Sequence, residues 1–317
     1  MKLVYHLGYP RTGTTLLQKH LFKSHSEINY LGPKYYDGDD SHLIKHTDIN
    51  ELQKIYIKNS DKKDSYFNDL KKTINLDLFS EKKLNIFSSE KYLSFRKYRE
   101  HEGLIALKEL LEKNFDLQLK IFYVVRNQYD LLKSHYHQGY GYFSNFFKCK
   151  NFSDLVKKIE KKQFDENSNI YHFLKAYDFN FMYEKIKLNF KDSETKIFSF
   201  NDLKHNKEYY FKQISEFLDI NSAETDSLIK DHVENATSLM GDKNLLQSRS
   251  QYFISNNQLY KKIKFLIPAK IKYNINKFLL IKKLITSKEN DEMRLIVDNY
   301  YLKSNQDFLR KTGVKIL

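Results

Sequence analysis

Residues suited to binding an anion stand near the start of the chain, in Gly8-Tyr9-Pro10-Arg11-Thr12-Gly13-Thr14-Thr15. Glycines at 8 and 13 let the backbone turn tightly, so that successive N–H groups face one point. A helix starting near Thr14 aims its N-terminus, with its partial positive charge, at the same point. The Gly8-to-Gly13 spacing is that of a phosphate-binding P-loop. Such a loop continues with Lys, for the β- and γ-phosphates, and Ser or Thr, for Mg²⁺. Here Thr14 stands in place of the Lys, and the cation is Arg11, inside the loop. Anion binding is kept, and an ordinary ATPase or kinase is disfavoured. A second anion site is suggested further on. The apolar run 119–125 ends in Arg126-Asn127-Gln128-Tyr129-Asp130, and Ser134 follows two helical turns on.

Together these segments resemble the sulfotransferases that use 3′-phosphoadenosine 5′-phosphosulfate (PAPS). The family's 5′-phosphosulfate loop reads Pro-Lys/Arg-Thr/Ser-Gly-Thr-Thr, and residues 10–15 match it at every position, with Leu16-Leu17-Gln18 following suitably. The family's second motif is Arg-Asn-Pro-x-Asp with a Ser eight residues after the Arg, the distance from Arg126 to Ser134. Gln128 departs from the Pro, which relaxes the turn but removes no ligand. The resemblance implies that Arg11 contacts the bridging and leaving oxygens. It gives the 5′-phosphate to the loop Pro10, Thr12, Gly13, Thr14 and Thr15, and the 3′-phosphate to Arg126 and Ser134. A third segment, residues 196–203 with the later Glu216-Phe217-Leu218-Asp219-Ile220, is similar to the family's strand-Tyr-Glu-Asp-Leu and helix-Phe-Leu-Gly pattern. It puts Phe200 where an aromatic flanks adenine, although a plain core role suits Phe200 equally. Asn235-Ala236-Thr237-Ser238 resembles the family's Asn-x-Ser stretch, so the resemblance covers roughly residues 1–240.

Sulfuryl transfer needs a base for the acceptor hydroxyl and positive charge for the leaving phosphate. In the family the base is His or Glu. Glu90, in Ser88-Ser89-Glu90-Lys91, follows a strand and resembles the Glu-Lys of glycan sulfotransferases, with Lys91 assisting in neutralisation. His42 lies where bacterial relatives often carry a His. His135 and His137 follow Ser134, and His137, one turn beyond it, is a third candidate. A salt-bridged structural acid and a surface histidine are the alternatives for Glu90 and His42. No metal is required, since His42 and His46 lack a third ligand nearby.

These residues need strands and helices to hold them. Four short apolar runs, at 2–7, 84–88, 119–125 and 196–200, read as strands. Apolar residues at helical spacing mark helices over 14–23, 102–114 and 207–218. Alternating strands and helices predict an α/β domain, a P-loop-like three-layer fold with a central parallel sheet of four to five strands. The expected organisation is a single domain over 1–317, with a helical insertion at 50–77 and a basic, mostly helical C-terminal part at 243–317.

Composition limits the rest. With 41% hydrophobic residues, 24 Phe and 24 Tyr, the chain of 317 residues can build an aromatic core and is not disordered throughout. One cysteine, Cys149, excludes an internal disulfide and a cysteine zinc cage. Without an apolar run of transmembrane length or a signal-type N-terminus, a cytoplasmic enzyme is expected. Of the net charge of +14, the acid-free stretch 243–288 carries +11, from ten Lys and Arg249. That stretch is either a solvated face or a contact for phosphate, sulfate or an anionic membrane. Ile275, Phe278, Leu279, Leu284 and Ile285 recur there at helical spacing among lysines, so 261–288 suggests a basic amphipathic helix that either packs its apolar face on the body and offers its lysines to an acidic acceptor, the favoured reading, or lies at the inner face of the membrane. The expected function is sulfuryl transfer from PAPS, leaving 3′-phosphoadenosine 5′-phosphate (PAP). The acceptor is a saccharide or glycoconjugate by resemblance to bacterial, carbohydrate-directed members, and no nucleic acid is expected as a partner. The alternatives are a P-loop-like nucleotide kinase and a non-enzymatic binder of anionic glycan or membrane through 243–288.

Overall fold

The computed structural model describes residues 1–32, 43–59, 64–90, 92–93, 101–138, 140–162, 164–230, 245–248, 257–258, 266–268, 271, 282–284 and 287–316. They fall into two compact units: Met1–Arg126, Ala176–Glu234 and Asp307–Leu317 form the first, and Asn127–Lys175 with Asn235–Gln306 the second.

The first unit is built on a five-stranded sheet. Its strands are β1 (Lys2–Leu7), β2 (Ile28–Tyr30), β3 (Leu84–Ser89), β4 (Gln118–Val125) and β5 (Glu194–Ser199). Their order is β2-β3-β1-β4-β5, and every pairing is parallel. Strands of a parallel sheet are covered on both faces and therefore read as continuous apolar runs. In β3 every residue is buried, and so are the last five of β1. β1 passes into α1 (Thr14–Leu16), which continues as a π-helical stretch, Leu17–Phe22.

The two sheet faces carry different helices. Val4, Ile86, Phe122, Val124 and Phe198 pack with Leu17, Leu21 and Phe22 of the π stretch. Phe211, Ile214 and Phe217 of α11 (Lys207–Leu218) and Ile229 at the end of α12 (Ser222–Ile229) join the same cluster. On the other face, Tyr5 donates its hydroxyl hydrogen to the Leu104 carbonyl of α4 (Glu102–Asn114) at 3.0 Å. Its ring meets Phe87 and Phe190 edge-on, Phe190 closing α9 (Phe179–Asn189). Residues 50–77 hold most of α2 (His46–Lys58), then α3 (Asp64–Thr73) and a 3₁₀ turn, Leu76–Leu78.

Phe200 does not close the fourth expected strand. β5 ends at Ser199, whose hydroxyl oxygen accepts from the Asn201 N–H and caps α10 (Phe200–His205). Local capping there outcompetes the continuation of the apolar run.

The second unit contains α5 (Gln128–Gln138), α6 (Tyr140–Phe146), α7 (Phe152–Lys161) and most of α8 (Asn169–Ala176). Aromatic rings join them, with Tyr129–Phe152 centroids at 5.7 Å and Phe143–Phe173 at 5.0 Å. β6 (Leu245–Ser248) pairs antiparallel with β7 (Lys282–Leu284). The amphipathic helix expected to run through residues 275–285 therefore does not extend over 282–284, where strand pairing overrides the local spacing. The rest of that expected helix lies outside the described residues. A long helix, α13 (Ser287–Thr312), runs through the second unit up to Gln306. Among the described residues no helix is long and apolar enough to cross a membrane.

Candidate active site

Parallel strands end on one edge of their sheet, so four strand ends of the first unit stand in a row. In sheet order they lead to Glu90 after β3, the loop Gly8–Gly13 after β1, Arg126 after β4 and Phe200 after β5. At about 4.8 Å between neighbours the row spans roughly 15 Å. The C-terminal edge of such a sheet is where α/β proteins place ligands.

The loop is held in an unusual path. Arg11 and Gly13 both have left-handed backbone, φ 70° and 85°. Thr12 Oγ1 donates to the Tyr9 carbonyl at 2.7 Å and closes the turn. The Gly13 carbonyl then accepts from Leu16 N (3.0 Å) and Leu17 N (3.3 Å), which starts the helix. Beneath, the buried Tyr9 hydroxyl donates to the Ala176 carbonyl at 2.9 Å. The Gly8 N–H donates to the Ser89 carbonyl at 3.1 Å, tying the loop to the end of β3.

Both glycines are required by close neighbours. A Cβ on Gly8 would lie 2.5 Å from Thr14 Oγ1 and 3.3 Å from Glu90 Cγ. A Cβ on Gly13 would lie 2.6 Å from Leu203 Cδ2. Thr14 and Glu90 thus meet on one side of the loop, and α10 with Phe200 and Leu203 covers the other. Arg126 joins the second group. Its Nη1 donates to the Arg11 carbonyl at 3.1 Å, and its guanidinium lies 4.7 Å from the centre of the Phe200 ring.

The electrostatics separate Glu90 from an ordinary surface acid. Burial pushes its carboxyl up to about 7, against the Thr14 hydroxyl and the Arg11 guanidinium, which both favour the ionised form. Among the described residues the buried Thr14 hydroxyl, despite that proximity, makes no hydrogen bond of proper geometry. A buried oxygen left in this way is costly unless something else satisfies it.

Five of the sequence-predicted residues are therefore brought together: Arg11, Thr14, Glu90, Arg126 and Phe200. Pro10, Thr12, Gly13 and Thr15 lie in the same loop and helix start. Ser134 and His135 are carried by α5 in the second unit, where the His135 ring packs edge-on against Phe143 at 5.4 Å. His137 is also on α5, and its side chain lies outside the described residues, as do His42 and Lys91.

Sequence reasoning missed the support below the loop. Ser88 Oγ sits 2.7 Å from His6 Nδ1, and Gln18 Nε2 donates to Ser88 Oγ (2.9 Å) and to its carbonyl (3.2 Å). Burial pushes His6 down to about 3, so this ring is neutral. The network ties β1, β3 and the helix after the loop together two residues before Glu90. A polar residue inside an apolar strand, as His6 is, was the available signal. Leu203, wedged against Gly13, gave none.

No curated protein matches the chain by sequence. Among solved structures, a sulfotransferase from Alicyclobacillus acidocaldarius is similar at 12% identity and a TM-score of 0.42, covering 82% of this chain and 91% of its own. The mouse sulfotransferase SULT7A1, solved in complex with PAP, is similar at 16% identity and a TM-score of 0.42, covering 98% and 86%. A sulfotransferase domain from the Synechococcus PCC 7002 olefin synthase follows at 17% identity and a TM-score of 0.36, covering 76% and 83%. These likenesses are too loose to carry residue roles. The family model for the sulfotransferase domain matches residues 4–272, from β1 through all four strand ends of the row, and the chain belongs to that family.

Proposed function

We propose that this sulfotransferase takes its sulfuryl group from PAPS and transfers it to an acceptor hydroxyl, with Glu90 as the base. The observation that carries the reading is the row of strand ends. A raised carboxyl stands beside the loop at one end, and an arginine with an aromatic ring stands at the other.

The residues present fit such a donor. Thr14 offers a buried hydroxyl that makes no hydrogen bond of proper geometry among the described residues. Pro10, Thr12, Gly13, Thr14 and Thr15 would hold the 5′-phosphate, and Phe200 would flank the adenine. Arg126 would take the 3′-phosphate, together with Ser134, which is put forward from the spacing of its motif alone. PAPS, when bound, supplies the activated sulfuryl group. Arg11 then offsets negative charge at the reacting end. Glu90 removes the acceptor proton, a task suited to a carboxyl poised near neutral pH. His42 and then His137 are ranked behind Glu90 as the base, and Lys91 would assist in neutralising the leaving phosphate. A single comparison of Glu90→Gln with His42→Ala decides between the bases.

A saccharide or glycoconjugate is the acceptor class we favour, from the resemblance to bacterial, carbohydrate-directed members. The basic stretch 243–288 is assigned to recruiting an acidic acceptor or, from the cytoplasm, an anionic membrane. Cosedimentation with anionic vesicles, reversed by salt, separates the two.

The deciding experiment is calorimetry with PAP and AMP. Wild type should prefer PAP. Arg126→Ala should weaken PAP by roughly 10- to 100-fold, the value of a charge-assisted bond, and AMP much less. Equal loss for both nucleotides overturns the assignment.

A further inference from the structure

The helix α13 starts after residue 272, where the domain match ends. It nevertheless grips the first turn of α5. Asn127 caps α5, its Oδ1 accepting from the Asp130 N–H at 3.2 Å. Arg294 of α13 donates from Nη1 to that same oxygen at 3.0 Å and from Nη2 to Asp130 Oδ1 at 2.7 Å. Its guanidinium also lies 4.7 Å from the centre of the Tyr129 ring. Three helical turns further along α13, Asn305 and Gln128 exchange a reciprocal pair of amide hydrogen bonds, at 2.7 and 3.1 Å.

An isolated Arg–Asp pair with both side chains 35% exposed contributes little. This junction is different because one guanidinium serves a cap oxygen, a carboxylate and an aromatic face at once. The first turn of α5 is held on its cap, its amide and its acid, so it cannot rotate or tilt without breaking several of these bonds. Asp130 and Ser134 are four residues apart on one helix face. The start of the helix that carries Ser134 is therefore tethered to α13, beside its aromatic packing on α7. Gln128 stands where the resembling motif has Pro. A proline ring fixes backbone φ locally, whereas here the constraint arrives through a side chain from a distant helix.

We propose that Arg294 and Asn305 are positioning residues for 3′-phosphate recognition, acting on Ser134 through the turn 127–130. The proposal rests on the reading of Ser134 as a ligand of that phosphate.

The test is calorimetry on the full-length chain with PAP and with AMP, for wild type, Ser134→Ala, Arg294→Ala and the double variant. Arg294→Ala should weaken PAP by about tenfold and AMP by less than about twofold. The double variant should bind PAP no worse than Ser134→Ala alone, because a residue acting through Ser134 has nothing left to position. Asn305→Ala, which leaves the charge pair intact, should shift PAP in the same direction by a smaller factor, and it serves if Arg294→Ala does not fold. If Ser134→Ala leaves PAP and AMP affinities in their wild-type ratio, the reading of Ser134 fails. If Ser134→Ala lowers that ratio while the α13 variants leave it unchanged, or their losses add to that of Ser134→Ala, the reading stands and the positioning proposal is overturned.

Discussion

Replacing Glu90 with Gln keeps its shape and makes permanent the neutral form that burial already favours. The carboxyl is pushed from 4.5 to about 7 in the folded protein. An acid raised on folding stabilises the native state fully below its unfolded value, and that stability is lost as pH rises through the folded value. The window is therefore about pH 4.5 to 7. At 1.36 kcal/mol per unit, ionising Glu90 in place costs about 3 kcal/mol by pH 8. Glu90→Gln should accordingly gain up to about 3 kcal/mol over wild type in urea unfolding at pH 8 and nothing near pH 4. Taking the difference between the two proteins removes the contribution of every other titrating group. The same value sets the rate profile. A base with this pKa is about one-eleventh ionised at pH 6 and about ten-elevenths at pH 8, so kcat/KM on any active acceptor should rise about tenfold between them. Turnover by Glu90→Gln should fall about 10²- to 10⁴-fold. A stability difference that stays flat from pH 4 to 8, with a rate equally flat from pH 6 to 8, would refute the reasoning.

The loop yields three further expectations. Arg11→Ala should lower kcat by about 10²–10³ while PAP binding falls less. It should also move the rate limb above pH 7, because one of the two groups favouring ionised Glu90 is gone; a pH profile of the variant checks both. Thr14→Val removes a buried hydroxyl that makes no hydrogen bond of proper geometry among the described residues, so the melting temperature should hold or rise while PAP affinity falls about tenfold. Gly13→Ala should cost about 1–3 kcal/mol from its positive φ alone. Adding Leu203→Ala in the same chain relieves the clash and leaves that φ cost, which denaturant titration resolves.

The sequence made legible those features in which local pattern and tertiary environment agree. β1, α4 and α11 fall on their expected bounds because their apolar residues are long-run or strictly spaced and end at polar ones. β2 escaped because Ile28–Tyr30 is too short to show alternation, and it exists through its pairing with Leu84 to Ile86. The expected helix over 14–23 is helical but passes into π geometry at Leu17, which Leu16, Leu17 and Leu21 cannot announce, since their spacing suits either winding. At Phe200 the two levels conflict, and the Ser199 cap prevails. Glu90 was legible as a residue at a strand end. Its raised carboxyl was not, because burial depends on what Thr14 and the loop place around it. The Arg294 junction had no local trace, since its partners stand 164 and 167 residues away in the chain.

The row of strand ends also governs how the site comes into being. Leu3 in β1 pairs with Asn85 on one side and Leu119 on the other, and Lys120 pairs with Glu194. Every such pairing closes a long stretch of chain, so the sheet has high contact order and its loop-closure entropy must be met before any contact rewards it. A nascent chain lacking β5 has the anion loop in its sequence but neither the Phe200 ring nor the α10 floor beneath Gly13. Binding competence is thus expected only once β5 is in place. The converse follows by mass action. A nucleotide held at the ends of β1, β4 and β5, as proposed, favours only the completed sheet, and at a hundred times its dissociation constant it adds about 2.7 kcal/mol to the stability of that whole unit. The donor that the enzyme consumes would in this way also be its folding ligand.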